Sequence, residues 1–129
     1  MCQDFPEPLK LFAVYRMRAF GYWIESLGFA VVDNVRWGTR ETWSYCFAGI
    51  PERTVVAVGS VTSGLRRAVN RPLFEEGIIE MADRLKPAAV IVYGSANYKC
   101  FKELANRGIR IIQFDSEASR AYAKGAKHE

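Results

Sequence analysis

An arginine and a tryptophan stand at the end of an apolar run, where a buried strand would reach a binding site. The run Phe29–Val32 leads through Asn34 to Arg36, Trp37 and a glycine. A guanidinium group can hold an anion through two parallel hydrogen bonds, and an indole ring offers a surface on which a base can stack. We therefore predict that Asn34, Arg36 and Trp37 contact a nucleotide-like or other anionic ligand.

A second polar segment, residues 59–67, follows the apolar run Thr54–Val58 and is rich in hydrogen-bond donors. It carries three hydroxyl side chains, two glycines and two arginines. Backbone amides, hydroxyls and guanidinium groups all donate to phosphate oxygens, so Ser60 and Thr62 are candidate ligand contacts. The segment is not a P-loop, because Leu65 and Arg66 stand where that motif requires Lys and Ser or Thr. A solvated surface loop is the alternative interpretation.

Two further polar segments follow the last two apolar runs. Tyr93-Gly94-Ser95 ends one run, and Asp115 with Ser116 ends the other. Asp115 is expected to cap the following helix or, alternatively, to act as a base or pair with an arginine. Tyr93 is either a packing aromatic or a ligand contact. Tyr93, Ser95 and Asp115 complete the predicted ligand-binding set.

Arg16 is the last candidate, and its position in a helical pattern distinguishes it from Arg18. A helical wheel places Arg16 among apolar side chains, whereas Arg18 shares a narrow polar face with Lys10 and Glu25. A buried guanidinium needs a carboxylate, carbonyl groups or an anionic ligand. We expect Arg16 to be buried as a salt-bridge partner, to reach past the helix end, or to face a ligand; Arg18 is expected to be solvated.

The elements that must position these residues alternate along the chain. A first helix is followed by four strand-helix units, and the strands are short, apolar and separated by a helix each time. The predicted helices are 9–27, 40–48, 73–85, 98–107 and 117–124, and the predicted strands are 29–37, 54–58, 88–93 and 109–114. Helical spacing predicts that the second helix turns Trp43 and Phe47 to the sheet and that the third has an inward stripe of Phe74, Gly77, Ile78, Met81 and Leu85.

This alternation predicts an α/β fold with four mainly parallel strands and right-handed crossovers. We favour a compact, Rossmann-like three-layer sandwich, with a half-barrel-like arrangement as the alternative. In either arrangement ligands bind at the carboxyl ends of the strands, so the four polar segments should meet at one edge of the sheet.

Composition limits the class of protein. With 129 residues, half of them hydrophobic, residues 1–129 fit one α/β domain. No apolar run is long enough for a membrane span and no leader pattern is present, so we expect no membrane partner and a cytoplasmic location. The three cysteines form no CxxC pair, which predicts small buried residues, no metal site and no cofactor.

The net charge of +4 is compatible with a nucleotide, a phosphorylated small molecule or nucleic acid as partner. An enzyme is a third class of function, with Asp115 or Glu41 as base. The only histidine is His128 in the tail, and the sequence contains neither GxSxG nor HExxH. We therefore rank a small-molecule binding module first, an interaction protein acting on nucleic acid or another macromolecule second, and a hydrolase third.

Five segments resemble a known family. They are Tyr15–Trp23 (YRMRAFGYW), Val35–Gly38 (VRWG), Phe47–Pro51, Tyr93–Ser95 and Ile112–Ser116. This set is similar to the domain of unknown function 4417 family, which is common in bacteriophages and mobile elements. The resemblance covers nearly the whole chain but implies no settled activity. For an interaction protein, it implies host machinery as the partner.

Two departures from the family pattern affect the expectations. Thr39 follows VRWG where the family usually has an aspartate, and the family usually has a strand and a helix before the region that begins near Asp4. A missing strand would leave a sheet edge unpaired, and unpaired edges favour self-association. The resemblance thus implies an N-terminally short member that forms a homo-oligomer.

Overall fold

The computed structural model describes residues 4–126, and within that range helices and strands alternate as the sequence predicts. The helices are α1 (Glu7–Ser26), α2 (Trp43–Cys46), α3 (Arg71–Leu85), α4 (Lys99–Asn106) and α5 (Glu117–Ala126). The strands are β1 (Asp33–Asn34), β2 (Val55–Gly59), β3 (Ala89–Tyr93) and β4 (Arg110–Phe114). Short 3-10 helices, Arg40–Thr42 and Ala68–Asn70, lead into α2 and α3.

The four strands form one parallel sheet in the order β1-β2-β3-β4. The predicted α/β class with a parallel sheet is therefore confirmed. Successive right-handed crossovers in one direction place the connecting helices α2, α3 and α4 on the same face. This sequential order is that of a barrel segment, but the sheet is open and does not close.

The two faces of the sheet are covered unequally in the described range. One face of the sheet is buried under helices through Val56, Val58, Val90 and Val92. On the opposite face Phe114 remains 54% exposed. A doubly wound sheet covers both faces because its strand order reverses, and here the order does not reverse.

The core between the sheet and the helices follows the predicted apolar stripes. The inward stripe of α3 is buried as expected, and its members are Phe74, Gly77, Ile78, Met81 and Leu85. Trp43 and Phe47 also pack into this core, as predicted. The cluster is completed from α4 by Phe101 and Leu104, which are almost fully buried.

β1 is shorter than the predicted strand 29–37. Only Asp33 and Asn34 pair with β2, although the Val35 amide also donates to the Ala57 carbonyl at 2.8 Å. β1 is an edge strand with a neighbour on one side. Phe29, at the start of the predicted strand, is exposed.

Helix α1 faces the domain with the side that the sequence pattern assigns to solvent. Lys10 and Val14 are buried, and Arg18 and Gly21 are half-buried, whereas Arg16 is exposed. The prediction that Arg16 is buried and Arg18 solvated is therefore wrong. Arg16 instead lies over the ring of Phe12, at 5.9 Å from its centroid. No helix within residues 4–126, α1 included, combines the length and apolar character needed to cross a membrane.

Arg18 joins α1 to the end of α2 and to β1. Its Nη2 donates to the Cys46 carbonyl at 3.0 Å, its Nε donates to the Ala48 carbonyl at 3.4 Å, and its Nη1 lies 3.8 Å from Asp33 Oδ1. Burial lowers the pKa of Arg18 and the Asp33 carboxylate opposes that effect, so the guanidinium stays charged. A cation is favourable there because the carbonyl groups at a helix end carry partial negative charge.

We expect Arg18→Met to lower the free energy of unfolding by about 1.5–3 kcal/mol, since it removes hydrogen bonds from a charged donor and leaves Asp33 unpaired. Arg16→Met is the matched control on the same helix and should change stability by at most about 1 kcal/mol, because it loses only an exposed contact with an aromatic ring. Urea denaturation of both variants measures the difference. Equal effects of the two substitutions would contradict this orientation of α1.

Candidate anion-binding site

A small cleft opens at the carboxyl ends of β1 and β2, beside the first turn of α3. Its volume is about 130 Å³. Each of the three neighbouring segments contributes to its walls, and the lining residues are Val35, Arg36, Trp37, Thr62, Ser63, Asn70, Leu73 and Phe74. The location agrees with the rule that parallel α/β sheets bind ligands at the carboxyl ends of their strands.

Arg36 supplies the positive charge of the cleft. Its side chain is exposed, and it forms no ion pair with any residue in the range 4–126. Two carboxylates near the strand ends are engaged elsewhere. Asp33 lies beside Arg18, and Asp115 accepts a hydrogen bond from Gln113 Nε2 at 3.0 Å. The guanidinium group is thus available to an anion.

Trp37 forms a wall of the cleft instead of a free stacking surface. Its ring packs against Phe47 and Phe74, with centroid separations of 5.9 and 5.0 Å. Gly77 of α3 lies directly under the indole, and a Cβ atom at that position would overlap the ring. The sequence pattern places Gly77 in the inward stripe of α3, but it does not show that the Trp37 ring packs against this glycine.

The segment that follows β2 is folded tightly on itself. Leu65 is 1% exposed and anchors it, while the Leu65 amide donates to the Ser60 carbonyl at 3.1 Å. Arg71 Nε donates to the Leu65 carbonyl at 2.8 Å, and Thr62 Oγ1 donates to the Gly59 carbonyl at 3.3 Å. These bonds hold Thr62 and Ser63 at the mouth of the cleft, so the segment is not a loose surface loop.

Ser60 does not reach the cleft. Its side chain is buried, its amide donates to the Tyr93 carbonyl at 3.1 Å, and its hydroxyl lies 3.4 Å from the same oxygen. Ser60 therefore extends the pairing of β2 with β3. Ser63 lines the cleft instead and was missed, because nothing in the sequence shows which hydroxyl of the segment turns outward.

Tyr93, Ser95 and Asp115 lie at the ends of β3 and β4 and do not line the cleft. The Tyr93 hydroxyl accepts a hydrogen bond from the Glu117 amide at 3.2 Å, and Ser95 Oγ accepts one from the Asn97 amide at 3.1 Å. Asp115 is not the helix cap. Ser116 fills that role, because its Oγ accepts the Ser119 amide at 3.3 Å. The side chains at the ends of β3 and β4 thus form hydrogen bonds with neighbouring loop residues and helix ends.

Two other predicted contacts lie elsewhere. Asn34 belongs to β1 and is exposed opposite Ala57 in the pairing register, and Arg16 lies on the outer side of α1. Of the residues predicted to bind a ligand, the structure brings Arg36, Trp37 and Thr62 together at the cleft and leaves the others apart.

The remaining reactive side chains lie outside the cleft. Cys46 and Cys100 are buried, as predicted, and burial raises the pKa of both thiols, that of Cys100 to about 11. Cys2 and His128 lie outside the described residues. Residues 4–126 contain no group of three or more His, Cys, Asp or Glu side chains placed to hold a metal ion.

Comparison with known proteins places the chain in a family. The family model described as Domain of unknown function (DUF4417) matches residues 1–115. The Gene 1 protein of Mycobacterium phage D29 is 36% identical over 97 residues, which are 74% of this chain and 35% of that protein. The Gene 1 protein of Mycobacterium phage L5 is 34% identical over 96 residues, which are 74% of this chain and 41% of that protein.

The chain therefore spans well under half of the length of these phage relatives. No solved structure matches it significantly. The family match covers most of the chain, and both relatives are phage proteins similar to it over three quarters of its length. This chain belongs to the DUF4417 family, a family of unknown function with members in phages.

Proposed function

We propose that this chain binds a phosphorylated, nucleotide-like small molecule by enclosing its phosphoryl group in the cleft between β1 and β2. The observation that carries the proposal is the exposed guanidinium group of Arg36, which forms no ion pair within residues 4–126, at the mouth of a cleft that also presents Thr62 and Ser63. Arginine forms two parallel hydrogen bonds with a phosphate group, and the Ser63 hydroxyl adds a further donor.

The size of the cleft limits what it can enclose. Pockets that enclose a whole small ligand have volumes of roughly 300–1,000 Å³. At about 130 Å³ this cleft has room for a phosphoryl group or a similar oxyanion. The remainder of a nucleotide would lie outside it, so affinity should depend on the phosphoryl group more than on the base.

The other two classes of function have less support. None of the eight residues that line the cleft carries a carboxylate, imidazole or thiol group, so a hydrolase would have to bring its base from elsewhere. Nucleic acid offers the same phosphate chemistry as a nucleotide. Arg66 and Arg67, which follow Ser63 in the chain, are exposed and could also contact a nucleic-acid backbone. The experiment must therefore distinguish nucleic acid from a small molecule.

The experiment is a thermal-shift panel with inorganic phosphate, nucleoside monophosphates and triphosphates, sugar phosphates and unphosphorylated adenosine. A ligand at about 100 times its Kd adds about 2.7 kcal/mol of stability, which should raise Tm by about 8 °C. We expect that shift with phosphorylated compounds and none with adenosine.

The proposal fails if no phosphorylated compound raises Tm, or if adenosine raises it equally. A short single-stranded DNA is included at low salt. If only DNA stabilises the protein, and the effect is lost as salt increases, the protein binds nucleic acid and the small-molecule proposal is wrong.

A further inference from the structure

We infer that a second copy of this chain packs against the outward face of α1, so that the protein is a dimer formed through that helix. The outward face consists of apolar side chains that are between 42% and 65% exposed: Phe5, Leu9, Phe12, Tyr15, Phe20, Trp23 and Leu27. This inference is independent of the cleft and of the ligand proposed for it.

The orientation of α1 is the first argument. An amphipathic helix at a protein surface normally turns its apolar side to the core and its charged side to water. α1 does the reverse, since Lys10 and Arg18 face the domain while Phe12, Phe20 and Trp23 face outward. The hydrogen bonds of Arg18 to the Cys46 and Ala48 carbonyls fix this orientation. The helix therefore cannot rotate its apolar side inward without losing them.

The area of the outward face is the second argument. An aromatic side chain presents roughly 150–250 Å² and five of the seven are aromatic, so the face at about half exposure offers about 700 Å². Typical monomers expose apolar patches of only about 300–600 Å². A stable interface of standard size buries about 800 Å² on each partner. The apolar area of this face is thus close to the area that each partner buries in a stable dimer.

The pattern of the face is self-complementary, which favours a second copy over a different protein. Ala19 is exposed near the middle of α1 and leaves room for close approach of two helices. In an antiparallel pair centred beside Ala19, Arg16 lies opposite the partner's Trp23 and Phe12 lies opposite the partner's Leu27. A guanidinium group over an indole is a favourable pairing, and the antiparallel helix dipoles attract.

A membrane surface is the main rival occupant. Helices that lie on membranes carry Lys and Arg on the side facing water, where these residues can reach lipid headgroups. The corresponding side of α1 is packed against α2 and β1, and Lys10 and Arg18 are engaged within the domain. This arrangement favours a protein partner over a lipid surface.

Analytical ultracentrifugation of the wild-type chain and two variants tests the inference. At about 50 μM, well above the micromolar upper limit of Kd for such an interface, the wild type should sediment at twice the monomer mass. Phe20→Glu should weaken the dimer at least about 30-fold, because it puts two like charges close together at the centre of an apolar interface. Tyr122→Glu, which alters an aromatic residue of α5 that is 82% exposed, is the matched control and should leave the dimer intact.

Cysteine cross-linking tests the geometry separately from the mass. In a Cys2→Ser background, Ala19→Cys should form a disulfide-linked dimer on mild oxidation, whereas Ala105→Cys, an exposed alanine of α4, should not. Circular dichroism checks that each variant is folded, as expected for exposed positions.

A wild-type monomer at about 50 μM, or loss of the dimer in Tyr122→Glu as well, would overturn the inference. So would cross-linking that is equally efficient at Ala105→Cys. Binding of a monomeric wild type to phosphatidylglycerol vesicles would assign the outward face to a membrane instead.

Discussion

Gly77→Ala should lower the free energy of unfolding by about 1–3 kcal/mol, although alanine favours the helix by about 1 kcal/mol. A Cβ atom at position 77 would overlap Nε1, Cδ1 and Cε2 of the Trp37 ring. The ring cannot move aside freely, because Phe47 and Phe74 pack against it. Overpacking against three atoms of a confined ring outweighs the gain in helix propensity.

Gly125→Ala is the matched control, since it makes the same change inside α5 where a Cβ atom would meet no neighbour within 4 Å. It should leave stability unchanged or raise it slightly. Urea denaturation measures both variants. Because Trp37 lines the cleft, Gly77→Ala should also weaken phosphate binding. A Gly77→Ala protein as stable as the wild type would show that the ring is not held as described.

The sheet and its helices could be predicted from sequence because their signals are local. Buried parallel strands are continuous apolar runs, and α3 repeats its apolar residues at helical spacing. The number of layers depends instead on strand order, which no local pattern records. The sequential order of this sheet leaves the face that carries Phe114 without a covering helix in the described range.

The orientation of α1 could not be predicted because a helical wheel shows which residues share a face, not which face meets the domain. The assumption that apolar residues point inward assigned Arg16 to the interior. The orientation of α1 depends on hydrogen bonds from Arg18 to the carbonyl groups of Cys46 and Ala48, which are 28 and 30 positions away in the chain. These long-range bonds, and not the apolar pattern of the helix, decide which face of α1 meets the domain.

The position of the site could be predicted only in part. Arg36, Trp37 and Thr62 follow neighbouring strands, and parallel pairing brings them together. Tyr93, Ser95 and Asp115 follow strands too, but they bond to nearby loops. Residue type alone does not distinguish a hydroxyl that binds a ligand from one that holds a loop.

Arg36→Ala should weaken phosphate binding about 10- to 100-fold while changing the free energy of unfolding by less than about 0.5 kcal/mol. The loss follows from removing a charged donor that forms two bonds to one phosphate group. Stability should be preserved because the exposed guanidinium group pairs with no carboxylate in the range 4–126. Isothermal titration with phosphate and urea denaturation measure the two quantities on the same sample.

Arg110→Ala is the control, because it removes an exposed arginine of β4 that does not line the cleft, and it should change neither quantity. Arg36→Lys keeps the charge but loses the forked geometry, so its affinity should lie between those of the wild type and the alanine variant. A fall in stability with unchanged affinity would instead make Arg36 a structural residue. Equal loss of affinity in Arg36→Ala and Arg110→Ala would mean that phosphate responds to net charge and not to the cleft.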